Sequence, residues 1–539
     1  MPATAPRPHP RRPRGRSRRV TGLVASCAAA GLLLSGCGAD AQADDSISVM
    51  VVKHGLTKPM AEMAWVQQLE EVAGVPVEWE EVSSDWDQKK NPMLAAGDVP
   101  DVIIGFNAVT DQDLVTFHSL FEDLSDDMDA LPNAQAMFDE VDGAQDLVTR
   151  DGAIRALPSY KKYWPQAITH QYVNQQWLDT LGLEAPTTWD ELFDVLTAFK
   201  EGDPNGNGQA DEIPLDFSPV GTTGFGYFQP TALLGSTGMQ VVNGGGNGYF
   251  LEDGEVKNLF VDERYRDLVE FLHRCWEAGL MSPDAFTQDY STYQSVARGT
   301  GDQARVGFSW GWSASDRFGP GVYQQYAAIG QLQQEAGQSA PVRWSWDYEN
   351  LTPNAVLVSA STPHKDAVLR MVDQFYAPDT SVQVLWGDLG TNVEKTGDEQ
   401  YTVLPPADPA LDPSTWKWTS SVADNGPFFI RPEMEVQLPA DLSEAVADSA
   451  PLQPAYDGVD VLRDVYPQPF LKLDEDDTLV SSLNDTAVLG VVMPQFAQWV
   501  TRGGATRDWD EHVETVLDVG LAENVEIRQR YYDEYAASR

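Results

Sequence analysis

From residue 47 the chain alternates short apolar runs with amphipathic stretches. Ile47 to Val52 is a β-branched run, after which Met60, Met63, Ala64, Val66 and Leu69 recur at helical spacing. Val75 to Val82 reads as a strand, and Asp85 to Ala96 as a helix ended by Gly97. Val102 to Ile104 lacks alternation, as expected of a strand covered on both faces. This β-α-β-α-β order predicts a mainly parallel sheet between helices. Ligands of such sheets bind beyond the carboxyl ends of the strands, which here means near His54, Gly105, Phe106 and Asn107. Farther on, Leu192, Val195, Leu196 and Phe199 give one buried helical stripe, with Thr188 and Glu191 at capping-box spacing before it.

The first residues follow another pattern. Residues 1–36 hold no acid and seven arginines, all before residue 20, which are followed by the apolar stretch Val20 to Leu34 and then Leu34-Ser35-Gly36-Cys37. A basic start, a short apolar run and small residues before a cut form a secretory signal, too short for an ordinary membrane span. The ending resembles the bacterial lipobox, which implies cleavage before Cys37 and lipidation of its thiol. Arg18-Arg19 is compatible with either general or twin-arginine export. Residues 37–46 then form a small, polar tether.

Composition narrows the function classes. The 539 residues carry 36 Lys+Arg against 82 Asp+Glu, a formal charge of −46. Without the seven leader arginines the charge falls by a further seven, to −53. A surface this acidic repels phosphate backbones and anionic lipid, which argues against nucleic-acid binding and leaves the lipid anchor as the expected membrane contact. Three cysteines exclude a disulfide scaffold, and Cys275 lies in a helical pattern as a buried, inert thiol. There is no P-loop, no H-E-x-x-H, no Cys/His zinc spacing and no G-x-G-x-x-G after a strand, so any transport energy must come from a partner.

Several passages resemble family 1 extracellular solute-binding proteins, the receptors of bacterial ABC importers. They are Leu94-Ala95-Ala96-Gly97-Asp98-Val99-Pro100-Asp101-Val102, Asp151-Gly152-Ala153-Ile154-Arg155-Ala156-Leu157-Pro158, the run from Tyr172 to Leu183, and Pro186-Thr187-Thr188-Trp189-Asp190-Glu191-Leu192. The ending around Trp509 to Val513 and Tyr531 to Tyr535 is also similar. The resemblance implies an α/β, two-lobed periplasmic-binding-protein-like fold (type II), with the ligand cleft between lobes and a hinge of several crossing segments. The expected lobes are 47–165 with about 351–385, and about 166–350 with 386–539. It further implies a monomer on the extracellular face of the cytoplasmic membrane, handing its ligand to ABC permease subunits, with no covalent chemistry.

After Gly202 comes Asp203-Pro204-Asn205-Gly206-Asn207-Gly208-Gln209-Ala210-Asp211-Glu212. Oxygen side chains at positions one, three, five and nine with Gly at six match the start of a calcium loop, whose hard cation wants six to eight oxygens. Position twelve, where an EF-hand needs a bidentate Glu, is Pro214, so Glu212 or Asp211 must supply that ligand. The shortened form resembles the calcium loop of alginate-binding members of the family, which implies Asp203, Asn205, Asn207, Gln209, Asp211 and Glu212 as ligands of a structural calcium ion. The alternative is an Asn/Gly turn without metal.

Gly307-Phe308-Ser309-Trp310-Gly311 matches the G-x-S-x-G nucleophile elbow, whose alternative reading is a secreted hydrolase using Ser309. That elbow needs a helix directly after the serine, and Gly319-Pro320-Gly321 stops one early. The same segment supplies ligand candidates. Trp310 and Trp312 share a face by the period of two, Trp344, Trp346 and Tyr348 repeat the spacing, and Trp386 follows a helix resembling the family's. Flat indoles stack on the apolar faces of sugars. Trp310, Trp312, Trp346, Tyr348, Trp386, Tyr160, Trp164 and Asn107 are therefore the expected contacts to an oligosaccharide, with core packing as the alternative for each. An alginate-like polyanion would need a locally basic cleft from Lys161, Lys162 and Arg343, whereas a peptide or other small solute would fit the same scaffold.

Overall fold

The computed structural model describes residues 46–163, 167–348, 350–406 and 419–539. Cys37, the leader and Trp164 lie outside them. The first sheet has six strands in the order Phe429–Ile430, Leu157–Lys161, Leu351–Val358, Val102–Ile104, Ile47–Val52 and Val77–Val82. Ile47–Val52 pairs in parallel with both Val77–Val82 and Val102–Ile104, as the β-α-β-α-β order predicts. Leu351–Val358, returning from the second lobe, runs antiparallel between Val102–Ile104 and Leu157–Lys161, so the sheet as a whole is mixed. Alternation explains the unbroken run at 102–104. Val102 and Ile104 enter the main core with Trp65 and Leu69, while Ile103 enters a smaller core with Leu94, Leu114 and Phe121.

The second sheet has the order Tyr326–Ile329, His170–Asn174, Val306–Gly311 and Ile213–Leu215. Its core is separate from the first and takes in Trp177, Phe199, Phe308 and Phe496. Trp189–Glu201 is the expected helix, with Leu192, Val195, Leu196 and Phe199 buried. Thr188 accepts from the Glu191 amide, but the Glu191 carboxylate reaches the amide and hydroxyl of Thr187 at 2.8 and 2.6 Å, so only half of the capping box forms. Three C-terminal helices, Glu475–Arg502, Ala505–Val516 and Ala522–Ser538, pack on this core. Among the described residues, no helix is long and apolar enough to cross a membrane.

One expected boundary moves. Trp386, Val393, Tyr401, Met434 and Val436 all pack in the first core, and Phe429–Ile430 is a strand of the first sheet. The described residues from 386 to 437 thus belong with the first lobe, not the second. The reason is that Trp386 ends a helix, Pro378–Trp386, whose buried face already seals the first core. The chain crosses after Lys161, before Leu351 and after Gln437. Packing against the second core is resumed by Leu452 and Ala455.

Candidate functional site

On the first lobe, Val102–Ile104 runs out into Gly105-Phe106-Asn107. A Cβ on Gly105 would meet Val52 Cβ at 2.8 Å, so the turn depends on glycine there. The turn presents Phe106, 43% exposed, and Asn107, exposed in a left-handed conformation with φ 49°. An aromatic ring left in solvent at a strand's carboxyl end is the arrangement expected of a ligand platform. His54 is also exposed, its Nδ1 accepting from the Leu56 amide.

On the second lobe, Ile213–Leu215 ends at Asp216-Phe217-Ser218, and a loop returns to close on Ser218. The Ser218 amide donates to Phe228 O at 3.0 Å and its hydroxyl to Tyr227 O at 2.8 Å. Phe228 has φ 63°, a conformation costly for a bulky side chain and typical of functional loops. Tyr227 and Phe228 are half-buried with ring centroids 6.3 Å apart. Sequence reasoning missed both, since nothing in the sequence marks a positive φ at phenylalanine.

Beneath this surface lies a buried charged network. Arg317, with no exposed surface, donates from Nε to Ser309 Oγ at 3.1 Å, from Nη1 to Tyr293 O and from Nη2 to Asp216. Its guanidinium sits 3.5 Å from the centroid of the Tyr293 ring. Gln288 donates to the other Asp216 oxygen at 3.1 Å. Ser309 is therefore a mid-strand residue with no exposed surface, held by a guanidinium. The helix that follows, Ala314–Val322, is broken at Gly319. That geometry is not a nucleophile elbow, which requires an exposed hydroxyl on a sharp turn.

The predicted aromatics separate into two groups. Trp310 is fully buried, edge-on to Phe308 at 5.3 Å, and Trp386 is 2% exposed in the first core, so neither offers a face to a ligand. Trp312 is half-buried, and its carbonyl lies 2.7 Å from His170 Nδ1. Trp346 and Tyr348 are half-buried at the crossing before Leu351, 6.4 Å apart, and packed on Tyr456 and Phe470. Tyr160 is half-buried against Phe429 at 6.2 Å. The three residues of the basic cleft that a polyanion would need are engaged with other groups, Lys162 Nζ donating to Met434 O at 3.3 Å. Lys161 is buried and paired with Asp424 at 2.9 Å, and Arg343 turns to the carbonyl of Asp457 at 3.3 Å.

The lobes touch beside the Asn107 turn. Lys472 Nζ lies 2.6 Å from Asp111, Asn354 Nδ2 donates to Asp111 at 2.8 Å, and Arg150 Nη1 donates to Leu473 O at 2.6 Å. Burial pushes the Asp111 carboxyl upward, but the Lys472 ammonium and Asn354 outweigh it and hold Asp111 below the ordinary carboxylate value.

The loop after Gly202 turns on Asp203, Gly206 and Gly208, all at positive φ. Asp203 accepts from the amides of Asn207 and Gly208 at 3.1 and 3.0 Å, and Asn207 Oδ1 accepts from the exposed Gln209 amide at 2.7 Å. Asp211 accepts from Asn207 and Asn205 at 2.9 and 3.4 Å. Among the described residues no group of three or more His, Cys, Asp or Glu side chains is gathered for a metal. The loop's donors are instead mixed amides and carboxylates. Among the described residues Glu212 Oε1 is buried without a hydrogen-bond partner, and burial, followed by the Asp211 and Asp203 charges, raises the Glu212 carboxyl above its ordinary value. An orphaned carboxylate oxygen among like charges fits a hard cation.

Residues 55–381 match the family of bacterial extracellular solute-binding proteins, and the chain belongs to that family. The two lobes and the cleft-side strand ends are those of its fold. A solved structure of an HMO-binding, ABC-transporter-associated solute-binding protein from Bifidobacterium longum infantis is 32% identical, with TM-score 0.86, covering 91% of this chain and 99% of that one. The fructooligosaccharide ABC transporter substrate-binding protein FusA of Streptococcus pneumoniae serotype 4 is 27% identical over 504 residues, 88% of this chain and 87% of its own. An EF-hand mutant of FusA with fructo-nystose shares the fold at TM-score 0.76 and 24% identity, covering 92% of this chain and 100% of that one. The alginate-binding protein AlgQ2 without calcium ion shares it at TM-score 0.61 and 17% identity, covering 91% and 98%. These relatives are solute-binding proteins, and the buried Ser309 overturns the alternative reading of a hydrolase using that residue.

Proposed function

We propose that this chain is a lipid-anchored receptor that binds a neutral oligosaccharide between its lobes and delivers it to the permease subunits of an ABC importer. The observation that carries the reading is the exposed Phe106 at a strand's carboxyl end on the first lobe, with Trp312 at a strand end of the second and Tyr227 and Phe228 on the loop that closes on Ser218. Aromatic faces with polar neighbours suit sugar rings. Neutral glycans are favoured over alginate-like polyanions because Lys161 is already paired with Asp424 and the chain's charge is −46. Lobe closure about the three crossings bears the ligand to the permease, and no bond is made or broken. Tyr160, Trp346 and Tyr348, beside the crossings, and Asn107 on the Phe106 turn complete the cleft in this reading.

The loop 203–212 holds a calcium ion through Asp203, Asn205, Asn207, Gln209, Asp211 and Glu212, and its role is structural. Support comes from the unpartnered Glu212 oxygen. Cys37 carries the lipid and anchors a monomer at the extracellular face of the cytoplasmic membrane. Calorimetric titration with neutral fructans, milk-type oligosaccharides, alginate oligomers and peptides tests the ligand class. Saturable heat from a neutral glycan alone is expected, and binding confined to peptides or alginate defeats it. Release of Cys37→Ala into the medium tests the anchor.

A further inference from the structure

The third crossing between the lobes carries a helix of its own. Val436 packs in the first core and Leu452 in the second, and the helix Ala440–Asp448 lies between them in the chain. Its C-terminal half grips the second lobe at the turn that bears Trp312. Asp448 accepts from the Tyr172 hydroxyl at 2.7 Å and from the Ala314 amide at 3.2 Å. Glu444 accepts from the Ser315 amide at 3.0 Å and also from the Ser315 hydroxyl. The hydroxyl of Ser449, the next residue, lies 2.7 Å from Nε2 of His170, whose Nδ1 faces Trp312 O at 2.7 Å. Burial, with Asp448 and Glu444 close by, pushes the Tyr172 hydroxyl up, so it stays a donor.

These contacts complete a helix that does not complete itself. The first amides of a helix have no carbonyl within their own turn to meet. In Ala314–Val322 the Asp316 amide is met from within, by the Ser313 hydroxyl at 3.2 Å. Those of Ala314 and Ser315 go instead to the two carboxylates of the crossing helix. Negative charge at a helix N-terminus is favoured by the aligned backbone dipoles, which strengthens the grip. The turn itself is closely packed. A Cβ on Gly311 would meet Arg317 Cβ at 2.7 Å, so the strand end and the helix touch on either side of Trp312. Trp312 therefore rides on a short, stiff turn held by a segment that has just left the first lobe.

A change in the angle between the lobes must displace the crossings, and this crossing cannot move without pulling on residues 312–315. We infer that Glu444 and Asp448 are positioning residues for ligand binding, which tie the angle between the lobes to the seating of Trp312. Neither has to touch the ligand. The inference rests on the oligosaccharide reading above, with Trp312 as a contact. It deepens that reading by naming the side chains through which occupancy at one lobe biases closure.

A double-mutant cycle on the full chain tests the coupling, by calorimetric titration with kestose and with lacto-N-tetraose. Trp312→Ala is expected to weaken binding of the recognised sugar by at least about tenfold. Glu444→Ala/Asp448→Ala is expected to weaken it by about tenfold as well. The triple variant Trp312→Ala/Glu444→Ala/Asp448→Ala should bind no more weakly than Trp312→Ala, because both changes act through one ring. Unchanged binding by Glu444→Ala/Asp448→Ala, or losses that multiply in the triple variant, overturns the coupling and leaves the cleft reading intact. If the double alanine variant does not fold, Glu444→Ala alone takes its place in the cycle and the same outcomes decide. Trp312→Ala binding as tightly as the parent removes Trp312 as a contact and the coupling with it. Absence of binding by the parent to either sugar overturns the oligosaccharide reading as well.

Discussion

Replacing Arg317 with methionine is the most direct test of how the second lobe holds its ligand-side surface. The substitution nearly preserves the length of the side chain but deletes a guanidinium with no exposed surface and three hydrogen-bonded partners, Ser309, Tyr293 and Asp216. Among the described residues Asp216, 1% exposed, would keep only the Gln288 amide as a side-chain partner, at 3.1 Å. Removing one member of a buried pair costs about 3–5 kcal/mol, because the remaining charge stays out of water without compensation. That is a large fraction of a typical stability of about 5–15 kcal/mol. Urea titration at neutral pH, followed by circular dichroism, should show the second-lobe transition moving by this amount. The double variant Asp216→Asn/Arg317→Met, which removes both charges, should recover most of the loss. The reasoning is refuted if Arg317→Met costs less than about 1 kcal/mol, or if the double variant is no more stable than the single one.

Phe106→Ala should weaken glycan binding by about tenfold with little change in melting temperature, since the ring is already in solvent, whereas Trp310→Ala should cost about 3–5 kcal/mol of stability. Calorimetry and thermal melts separate the two. Chelation should lower the melting temperature, since calcium at a hundred times its Kd contributes about 2.7 kcal/mol, and Asp203→Ala should abolish the response. Acid should weaken the junction of the lobes. Asp111 has a lowered folded value, so its contribution is present above the unfolded carboxylate pKa of about 3.9 and is lost as the pH falls through the folded value. Small-angle scattering should show opening below about pH 4, and Asp111→Asn should already be open at neutral pH.

Local patterns read well from the sequence. The strands at 47–52 and 102–104 and the helix with Leu192, Val195, Leu196 and Phe199 follow from periodicity, because burial on one face leaves a direct imprint on residue order. Periodicity places Trp310 on a face, but it cannot say whether that face meets a core or a cleft. Trp312 lies one residue past the strand end at Gly311, so the alternation that joined the two tryptophans stops between them. The Asp216–Arg317 pair, 101 residues apart, and the return of 429–430 to the first sheet depend on chain crossings that leave no local pattern. The strained Phe228 is likewise invisible, being fixed by a loop closure on Ser218.

Cys275 is fully buried, and burial pushes its thiol up to about 12, so at neutral pH it is shut away from solvent and scarcely ionised. It is the sole cysteine from residue 46 onward. Over that range the folded chain is, in effect, silent toward thiol reagents. Cysteines introduced at exposed sites such as Asn107 on one lobe and Thr222 on the other would take up a fluorophore pair without a competing background. The same inert thiol that tells nothing about function thus leaves the motion between lobes open to direct optical measurement.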